Sequence, residues 1–329
     1  MRLRIAFGGC AAALLLASSA QALQIVPTFD SSITGASNAA EIENAVFAAS
    51  QFYTAFSDPV TVNIYFQTGP TPLGASLTGY YGVPYADYVT GLSIQAAVHP
   101  ENAVLQSAVA NLPSGNSSAN VLFTSAEANT LLAPFGITVP GLIGGFDGVV
   151  MLSDTPGKVS FSGVVGPTQY PAQWVLQHEI DEVLGAGGGG TVLGRGFPPD
   201  YIAGLDLYRY NGFHSPSLTT DPNEVSYFSY DGGATPVLDY NQSGVGDYGD
   251  TAKFDCNGVQ HVQDYFGCPG TPPFGLTRVS PEVLELESIG YNLMPVPEPA
   301  TWALLIAGFG SIGLAARRRR AAGNSTFPA

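Results

Sequence analysis

The most informative stretch of the chain is Gln177-His178-Glu179-Ile180-Asp181-Glu182-Val183-Leu184-Gly185, which has the pattern H-E-x-x-E. The pattern predicts the end of a helix, on which residues four apart lie one turn above each other. His178 and Glu182 therefore share a face, as two ligands of one cation must. Glu179 lies one step round the helix, where a carboxylate can act as general base toward a water. The stretch predicts a metal site with His178 and Glu182 as ligands and Glu179 as the catalytic base.

Zinc proteases usually have H-E-x-x-H, so Glu182 stands where a second histidine is common. Zinc accepts carboxylate oxygens at about 2.0–2.2 Å. The alternative is that these polar groups are only the solvated face of a helix. Charged residues make up 11% of the chain, so their concentration here is unusual. The rest of the helix is apolar and predicts burial, through Trp174, Val175, Ile180, Val183 and Leu184. Ionisable groups on a buried helix need partners or a metal.

Residues 1–22 predict a secretory signal peptide. Arg2 and Arg4 precede an apolar run, and Ala20-Gln21-Ala22 is a typical cleavage site. The mature chain is therefore expected to begin near Leu23.

Residues 296–320 form a second targeting segment. Val296-Pro297-Glu298-Pro299 precedes an apolar run over residues 300–316, and four arginines follow at positions 317–320. The run is at the lower limit for a transmembrane helix, and arginines favour the cytoplasmic side. The segment resembles the PEP-CTERM sorting signal, which implies a Gram-negative bacterium, transient insertion in the inner membrane and removal of the anchor by an exosortase. The alternative is an ordinary membrane anchor; in both cases the body is exported, and residues 321–329 are a short tail.

The body of the chain is strongly acidic. Without the two ends it keeps five basic and twenty-five acidic residues, a net charge of about −20. Such a surface repels nucleic acid and favours cation binding.

Cys256 and Cys268 also remain in the body, and in an oxidising compartment an even pair predicts a disulfide.

Residues 23–295 are predicted to form one α+β domain, for which the hydrophobic content of 45% is ample. Helical spacing predicts helices over residues 39–56, 91–112, 171–184 and 280–290. Strands are expected over residues 60–66, 121–123, 145–152 and 158–165, with a hairpin over 225–240. This order predicts an N-terminal mixed sheet, then the ligand helix, then an irregular C-terminal subdomain.

Several motifs in the second half resemble a family of exported PEP-CTERM metalloproteases with a zincin-like fold. They are residues 178–185, Asp206-Leu207-Tyr208-Arg209-Tyr210, Tyr227-Phe228-Ser229-Tyr230-Asp231-Gly232-Gly233, Gly246-Asp247-Tyr248-Gly249-Asp250 and Leu286-Glu287-Ser288-Ile289-Gly290-Tyr291. The closing helix also resembles that of matrix-type metalloproteases. The resemblance implies a metzincin-related or matrixin-related fold for residues 23–295 and a zinc-dependent protease activity.

The third metal ligand is not given by this resemblance. Metzincins place it three residues after the glycine, which is Gly188 here, and Met1, Met151 and Met294 leave no methionine for the turn beneath the metal. In thermolysin-type zincins the third ligand is an acid roughly twenty residues beyond the second, a spacing close to that of Asp206. Asp206 is therefore predicted as the ligand; a salt bridge to Arg209 or a turn cap is the alternative for this residue. The other candidates, in order, are His214, His261 and Asp200.

A calcium site is a further prediction for residues 239–250. Oxygen-bearing residues fall at loop positions one, three, five, nine and twelve, with glycine at position six, as in an EF-type loop. Gly246 stands where such loops have an aliphatic residue, and an acidic turn without calcium is the favoured alternative.

These observations predict a secreted or cell-surface zinc endopeptidase acting on proteins or peptides. Glu179 would deprotonate a water and pass the proton to the leaving amine. Two carboxylate ligands would make the zinc a weaker Lewis acid than three imidazoles would. The alternative from another class is a non-catalytic matrix or surface-binding protein on a zincin-like scaffold.

Overall fold

A computed structural model describes residues 22–113, 119–253, 255–295 and 308–309. The chain divides into two compact units, Met1–Leu293 and Met294–Ala329. Most of the signal peptide and nearly all of the C-terminal targeting segment lie outside the described residues. Within the described part of the chain, no helix is both long and apolar enough to span a membrane.

The first unit contains both helices and strands. The α-helices are α1 (Ser31–Thr34), α2 (Ala39–Ser50), α3 (Tyr85–Val98), α4 (Ala103–Ala110), α5 (Ser125–Leu132), α6 (Ala172–Leu184) and α7 (Pro281–Ser288). Short 3-10 helices span Gln51–Ala55, Ala133–Phe135, Gly187–Gly190 and Leu205–Tyr208. The strands are β1 (Gln24–Phe29), β2 (Thr61–Gly69), β3 (Gly74–Thr78), β4 (Tyr80–Pro84), β5 (Asn120–Thr124), β6 (Gly148–Ser153), β7 (Val159–Ser160), β8 (Tyr170–Pro171), β9 (Tyr201–Ala203), β10 (Arg209–Gly212), β11 (Ser215–Pro216), β12 (Tyr227–Phe228) and β13 (Leu238–Asp239). The predicted α+β class is confirmed.

The main sheet has the strand order β1-β2-β6-β3. β1, β2 and β6 are parallel, whereas β3 runs antiparallel to β6 and pairs Gly74 with Leu152 and Thr78 with Gly148. The predicted N-terminal mixed sheet is therefore present. On β2 the alternate residues Val62, Ile64 and Phe66 are fully buried, as the alternation in the sequence predicts. The helices α2 and α6 pack against each other beside this sheet, and β3 at its edge contacts α6.

The remaining sheets are small, with strand orders β4-β5-β9, β11-β10-β12-β13 and β7-β8. The predicted hairpin over residues 225–240 is the antiparallel pair β12 and β13. Elsewhere the second half consists mainly of loops, which agrees with the predicted irregular C-terminal subdomain. Helix α7 returns to the core through Val283, Leu286 and Ile289, all fully buried.

Two predicted elements differ from the structure. The helix predicted over residues 91–112 is two helices, α3 and α4, because Pro100 disfavours a helical conformation at His99. The side chain of Asn102 then caps α4 by accepting a hydrogen bond from Leu105 N. The strand predicted over residues 158–165 is only β7, which pairs with β8.

The predicted disulfide is present between Cys256 and Cys268, whose Cα atoms are 5.6 Å apart. It closes a surface loop that contacts helix α6.

Candidate metal centre

Helix α6 carries the H-E-x-x-E residues and is buried along most of its length. Its apolar residues Leu176, Ile180 and Val183 face the core, as their spacing predicts. The helix ends at Gly185, whose φ of 102° is in the left-handed region that favours glycine. The polar residues near this end line a cleft of about 310 Å³ between β3 and the C-terminal loops.

Three side chains converge in this cleft. His178 Nε2 lies 3.8 Å from Glu182 Oε1 and 3.9 Å from Asp250 Oδ1. One potential ligand atom from each of the three lies within 4.8 Å of the others. Among the described residues, these three side chains form the group of His, Cys, Asp and Glu that is close enough to hold one cation.

The ring of His178 is oriented for a ligand at Nε2. Its Nδ1 lies 2.8 Å from the carbonyl oxygen of Val262. Because a carbonyl oxygen only accepts hydrogen bonds, Nδ1 carries the proton and donates it. The Nε2 atom, on the opposite side of the ring, faces Glu182 and Asp250. Histidine ligands of metals commonly have this arrangement, in which the second nitrogen donates to a backbone carbonyl.

Asp250 supplies the observation that best tests whether a cation fits. Its Oδ1 atom is buried and has no hydrogen-bond partner among the described residues. A buried carboxylate oxygen without a partner is costly, and a metal ion would satisfy it. Burial, followed by the charges of Glu182 and Asp247, raises the pKa of Asp250 well above its usual range. One imidazole nitrogen and two carboxylates form a donor set that zinc accepts.

Glu182 is held in place from two sides. Its Oε2 accepts a short hydrogen bond from the hydroxyl of Ser76 on β3. On the other side is Gly188, where a Cβ atom would lie 2.2 Å from Glu182 Oε1 and 2.7 Å from Asp247 Oδ2. Glycine at this position therefore leaves room for the carboxylate of Glu182.

Glu179 also lines the cleft, next to the three convergent side chains. Its carboxylate packs so closely on β3 that a Cβ on Gly74 would lie 2.3 Å from Oε1. Burial, then the charges of Glu182 and Asp250, raise the pKa of Glu179 well above its usual range. The structure thus brings together His178, Glu179 and Glu182 as their spacing on a helix predicts.

Asp206, the predicted third ligand, lies elsewhere. Its carboxylate accepts hydrogen bonds from Thr191 Oγ1 at 2.6 Å, Ala203 N at 3.0 Å and Val192 N at 3.1 Å. These bonds tie together the loop after α6 and the 3-10 helix Leu205–Tyr208, so Asp206 has a structural role. The structure does not bring Asp206 to His178 and Glu182 as predicted; Asp250 lies beside them instead.

The other candidate ligands are also outside the group. His214 has a φ of 53° in the turn after β10, and Asp200 is exposed next to β9. His261 lies in the loop between Cys256 and Cys268. Asp250 lies in the predicted calcium loop, 68 residues beyond Glu182. The only signal that could have identified it is its place in the Gly-Asp-Tyr-Gly-Asp motif, because spacing along the chain does not reveal so distant a contact.

The geometry of residues 239–250 does not favour calcium. The side chain of Asn241 is fully buried inside this loop. Its Nδ2 donates hydrogen bonds to the carbonyl oxygens of Val245 and Asp247. Its Oδ1 accepts hydrogen bonds from Ser243 N and Ser243 Oγ, so both ends of this amide are engaged within the loop and neither is left for a cation.

The comparisons with known proteins concern the C-terminal end. Residues 295–320 match the family model described as the PEP-CTERM protein-sorting motif. The chain is therefore an exported protein that an exosortase-type enzyme processes at its C-terminus for a cell-surface or extracellular location. No curated protein matches the chain, and no solved structure does.

Proposed function

We propose that this exported protein is a zinc-dependent endopeptidase with a zincin-like fold that cleaves protein or peptide substrates. The observation that supports this most is the convergence of His178, Glu182 and Asp250 in one cleft, next to Glu179. His178 and Glu182 come from one helix turn, and Asp250 comes from a distant loop.

The residues fit a zinc ion on two grounds. The tautomer of His178 leaves Nε2 free to ligate, and the buried Oδ1 of Asp250 needs a partner. Bound zinc supplies Lewis-acid chemistry, since it polarises a carbonyl and lowers the pKa of a water to about 7. Glu182 and Asp250 both bring negative charge, which makes this chemistry weaker than at a site of three neutral histidines.

Glu179 is the catalytic base in this proposal. Its carboxylate takes a proton from the attacking water and delivers it to the nitrogen of the leaving amine. Close packing against Gly74 limits the positions that the carboxylate can adopt. This packing holds Glu179 at the side of the cleft without making it a ligand.

The edge of the main sheet supports a peptide substrate. Among the strands that the structure describes, β3 is at the end of that sheet, and Gly74, Ala75 and Ser76 line the cleft. The free edge of a strand offers backbone N–H and C=O groups to which an extended peptide can bind as a further strand. Such binding would place a peptide bond beside Glu179 and the three candidate ligands.

The proposal is tested by comparing the wild type with Glu179→Gln and His178→Ala, using casein as substrate. Glu179→Gln is expected to keep the zinc and to lose activity by about 10²–10⁴-fold, since it removes only the base. His178→Ala is expected to lose both zinc and activity. If Glu179→Gln cleaves casein as fast as the wild type does, Glu179 is not the base. Wild-type protein that binds zinc but cleaves no protein would favour the non-catalytic alternative.

A further inference from the structure

The loop between Cys256 and Cys268, here called the disulfide loop, holds the imidazole of His178. Its Val262 carbonyl accepts the Nδ1 proton of His178 at 2.8 Å. From the same loop, Gln263 Nε2 donates to the backbone carbonyl of His178 at 2.9 Å. Trp174, one turn earlier on α6, donates through Nε1 to Val262 O at 2.9 Å. Both the ring orientation and the tautomer of His178 therefore depend on this loop.

The disulfide loop also positions Asp250. Thr251, the next residue along the chain, donates its N–H to Gln263 O at 2.7 Å and accepts at its carbonyl from Tyr265 N at 3.2 Å. These bonds pair Thr251 with Asp264 as in a parallel strand. Two of the three candidate ligands, which come from distant parts of the sequence, are thus aligned by one segment of five residues, 261–265.

Further attachments hold the disulfide loop in place. On the inner side, Glu282 Oε1 at the start of α7 accepts hydrogen bonds from the backbone N–H groups of Val262 and Gln263. At the ends, the disulfide joins the exposed Cys256 to the buried Cys268. Residues 255–259 are exposed. Lys253 Nζ donates there to the carbonyl oxygens of Asn257 at 2.9 Å and Val259 at 3.0 Å, so the disulfide and Lys253 together constrain that side of the loop.

We infer that the Cys256–Cys268 disulfide regulates metal binding at His178, Glu182 and Asp250. With the disulfide closed, segment 261–265 keeps His178 Nε2 and Asp250 Oδ1 facing each other. With the disulfide open, the loop samples other conformations, and the two ligands lose their common support. The inference rests on the metal site of the proposed function and adds redox regulation to it. The site reaches its full zinc affinity only in an oxidising compartment, to which the chain is exported.

The chemical step is thiol–disulfide exchange with a dithiol reductant. A thiolate of the reductant attacks Cys256 Sγ, which is on the exposed side, and the Cys268 thiolate leaves and takes up a proton. The second thiol of the reductant then displaces Cys256 as it forms the reductant's own disulfide. Two electrons and two protons pass from the dithiol to the protein.

The test compares the zinc dissociation constants of three forms of the full chain, measured by competition with a chromogenic chelator. They are the oxidised wild type, the double variant Cys256→Ser/Cys268→Ser, and Val259→Ser as a control at an exposed position of the same loop. Serine is used because free cysteines would bind zinc themselves. The double variant is expected to bind zinc about 10–100-fold more weakly, as when an outer partner of a metal ligand is lost. Val259→Ser is expected to bind like the wild type.

A second disulfide-free preparation is measured so that the inference can still be tested when the double variant does not fold. Wild-type protein is reduced with a dithiol, alkylated with iodoacetamide, freed of reagents and measured in the same way, with circular dichroism to check its fold. A folded protein with the same weakening supports the inference. Unchanged affinity in a folded, disulfide-free form overturns it, and so does global unfolding of both forms, because the disulfide would then maintain the whole fold.

The outcomes separate this inference from the proposed function. If the oxidised wild type binds zinc and the disulfide-free forms bind it equally well, the inference fails while the proposed metal site stands. If zinc affinity depends on the disulfide but casein is not cleaved, the inference holds and the endopeptidase proposal fails. If the oxidised wild type binds no zinc, both fail.

Discussion

At Gly188 the backbone approaches the end of Glu182 more closely than any larger residue would permit. A methyl group there would lie 2.2 Å from Glu182 Oε1 and 2.7 Å from a carboxylate oxygen of Asp247. The atoms that would have to move are the ends of flexible side chains, so the backbone can stay as it is. Glycine at this position leaves space for the carboxylate of Glu182.

We therefore expect Gly188→Ala to weaken zinc binding without unfolding the protein. The added methyl group pushes the Glu182 carboxylate away from His178, which should reduce zinc affinity at least about 10-fold. Chelator competition gives the affinity, and a thermal melt gives the stability. Gly196→Ala is a useful control, since nothing lies within 4 Å of a Cβ at that glycine. Wild-type zinc affinity in Gly188→Ala would contradict the placement of Glu182.

Residue patterns predict part of the site. The i, i+4 spacing places His178 and Glu182 on one face because helix geometry is local. The role of Asp250 depends on how a loop folds back over α6, and no local rule contains that information. Asp206 had a plausible spacing, but its three hydrogen bonds within the loop show that spacing alone does not separate a ligand from a buried acid that holds a turn.

Among the secondary-structure elements, α6 links the main sheet to the C-terminal loops. On one side it faces β3 and the cleft, and on the other it contacts α2 and, through Tyr53, the 3-10 helix Gln51–Ala55. On that second side Asp181 is fully buried, and the hydroxyl of Tyr53 donates to its Oδ1 at 2.8 Å. Asp181 thus belongs to the support of the helix and not to the candidate metal group.

Tyr53→Phe is expected to destabilise the fold and to leave zinc binding unchanged. The substitution removes the donor to a buried carboxylate, which should lower the free energy of unfolding by about 1–3 kcal/mol. Tyr65→Phe is the matched control, because Tyr65 donates to Asp30 at a partly exposed position. Tyr65→Phe should lower the free energy of unfolding by less than Tyr53→Phe does. Urea unfolding measures both variants, and equal losses would argue against a special role for Asp181.

Long periodic elements are predictable from the sequence, and short ones are not. α2, β2 and α6 have clear apolar periodicity and lie near their predicted positions. The break between α3 and α4 follows from Pro100, because the residue before a proline is disfavoured in a helical conformation. Strands of two or three residues, such as β7 to β9, form because neighbouring segments supply hydrogen-bond partners, so their own residues carry little signal.

For the molecule as a whole, the acidic composition has a consequence inside the fold as well as on its surface. Several acids are buried, and burial raises the pKa of Glu287 to about 7, with a smaller opposing effect from Arg278. A carboxyl group whose pKa is higher in the folded than in the unfolded state binds more protons when folded. Its stabilising contribution is complete below about pH 4.5 and is lost as the pH rises through about 7.

We expect the zinc-free protein to lose stability between pH 5 and pH 8, and Glu287→Gln to reduce that loss. The full pKa shift of Glu287 corresponds to about 3 kcal/mol of unfolding free energy. Solvent screening near the surface reduces the expected difference between the wild type and Glu287→Gln to roughly 1–2 kcal/mol. Urea unfolding at several pH values measures it, with the exposed Glu224→Gln as control. Identical pH profiles for the wild type and Glu287→Gln would contradict the expectation.

The proposed metal site of this exported protein is formed by His178, Glu182 and Asp250. Its most direct test is the zinc content of the full chain after equilibrium dialysis, measured for the wild type, Asp250→Ala and Asp206→Asn. We predict one zinc per chain in the wild type and in Asp206→Asn, and less than about one tenth of that in Asp250→Ala. A folded wild type without zinc, or full zinc content in Asp250→Ala, would contradict the account.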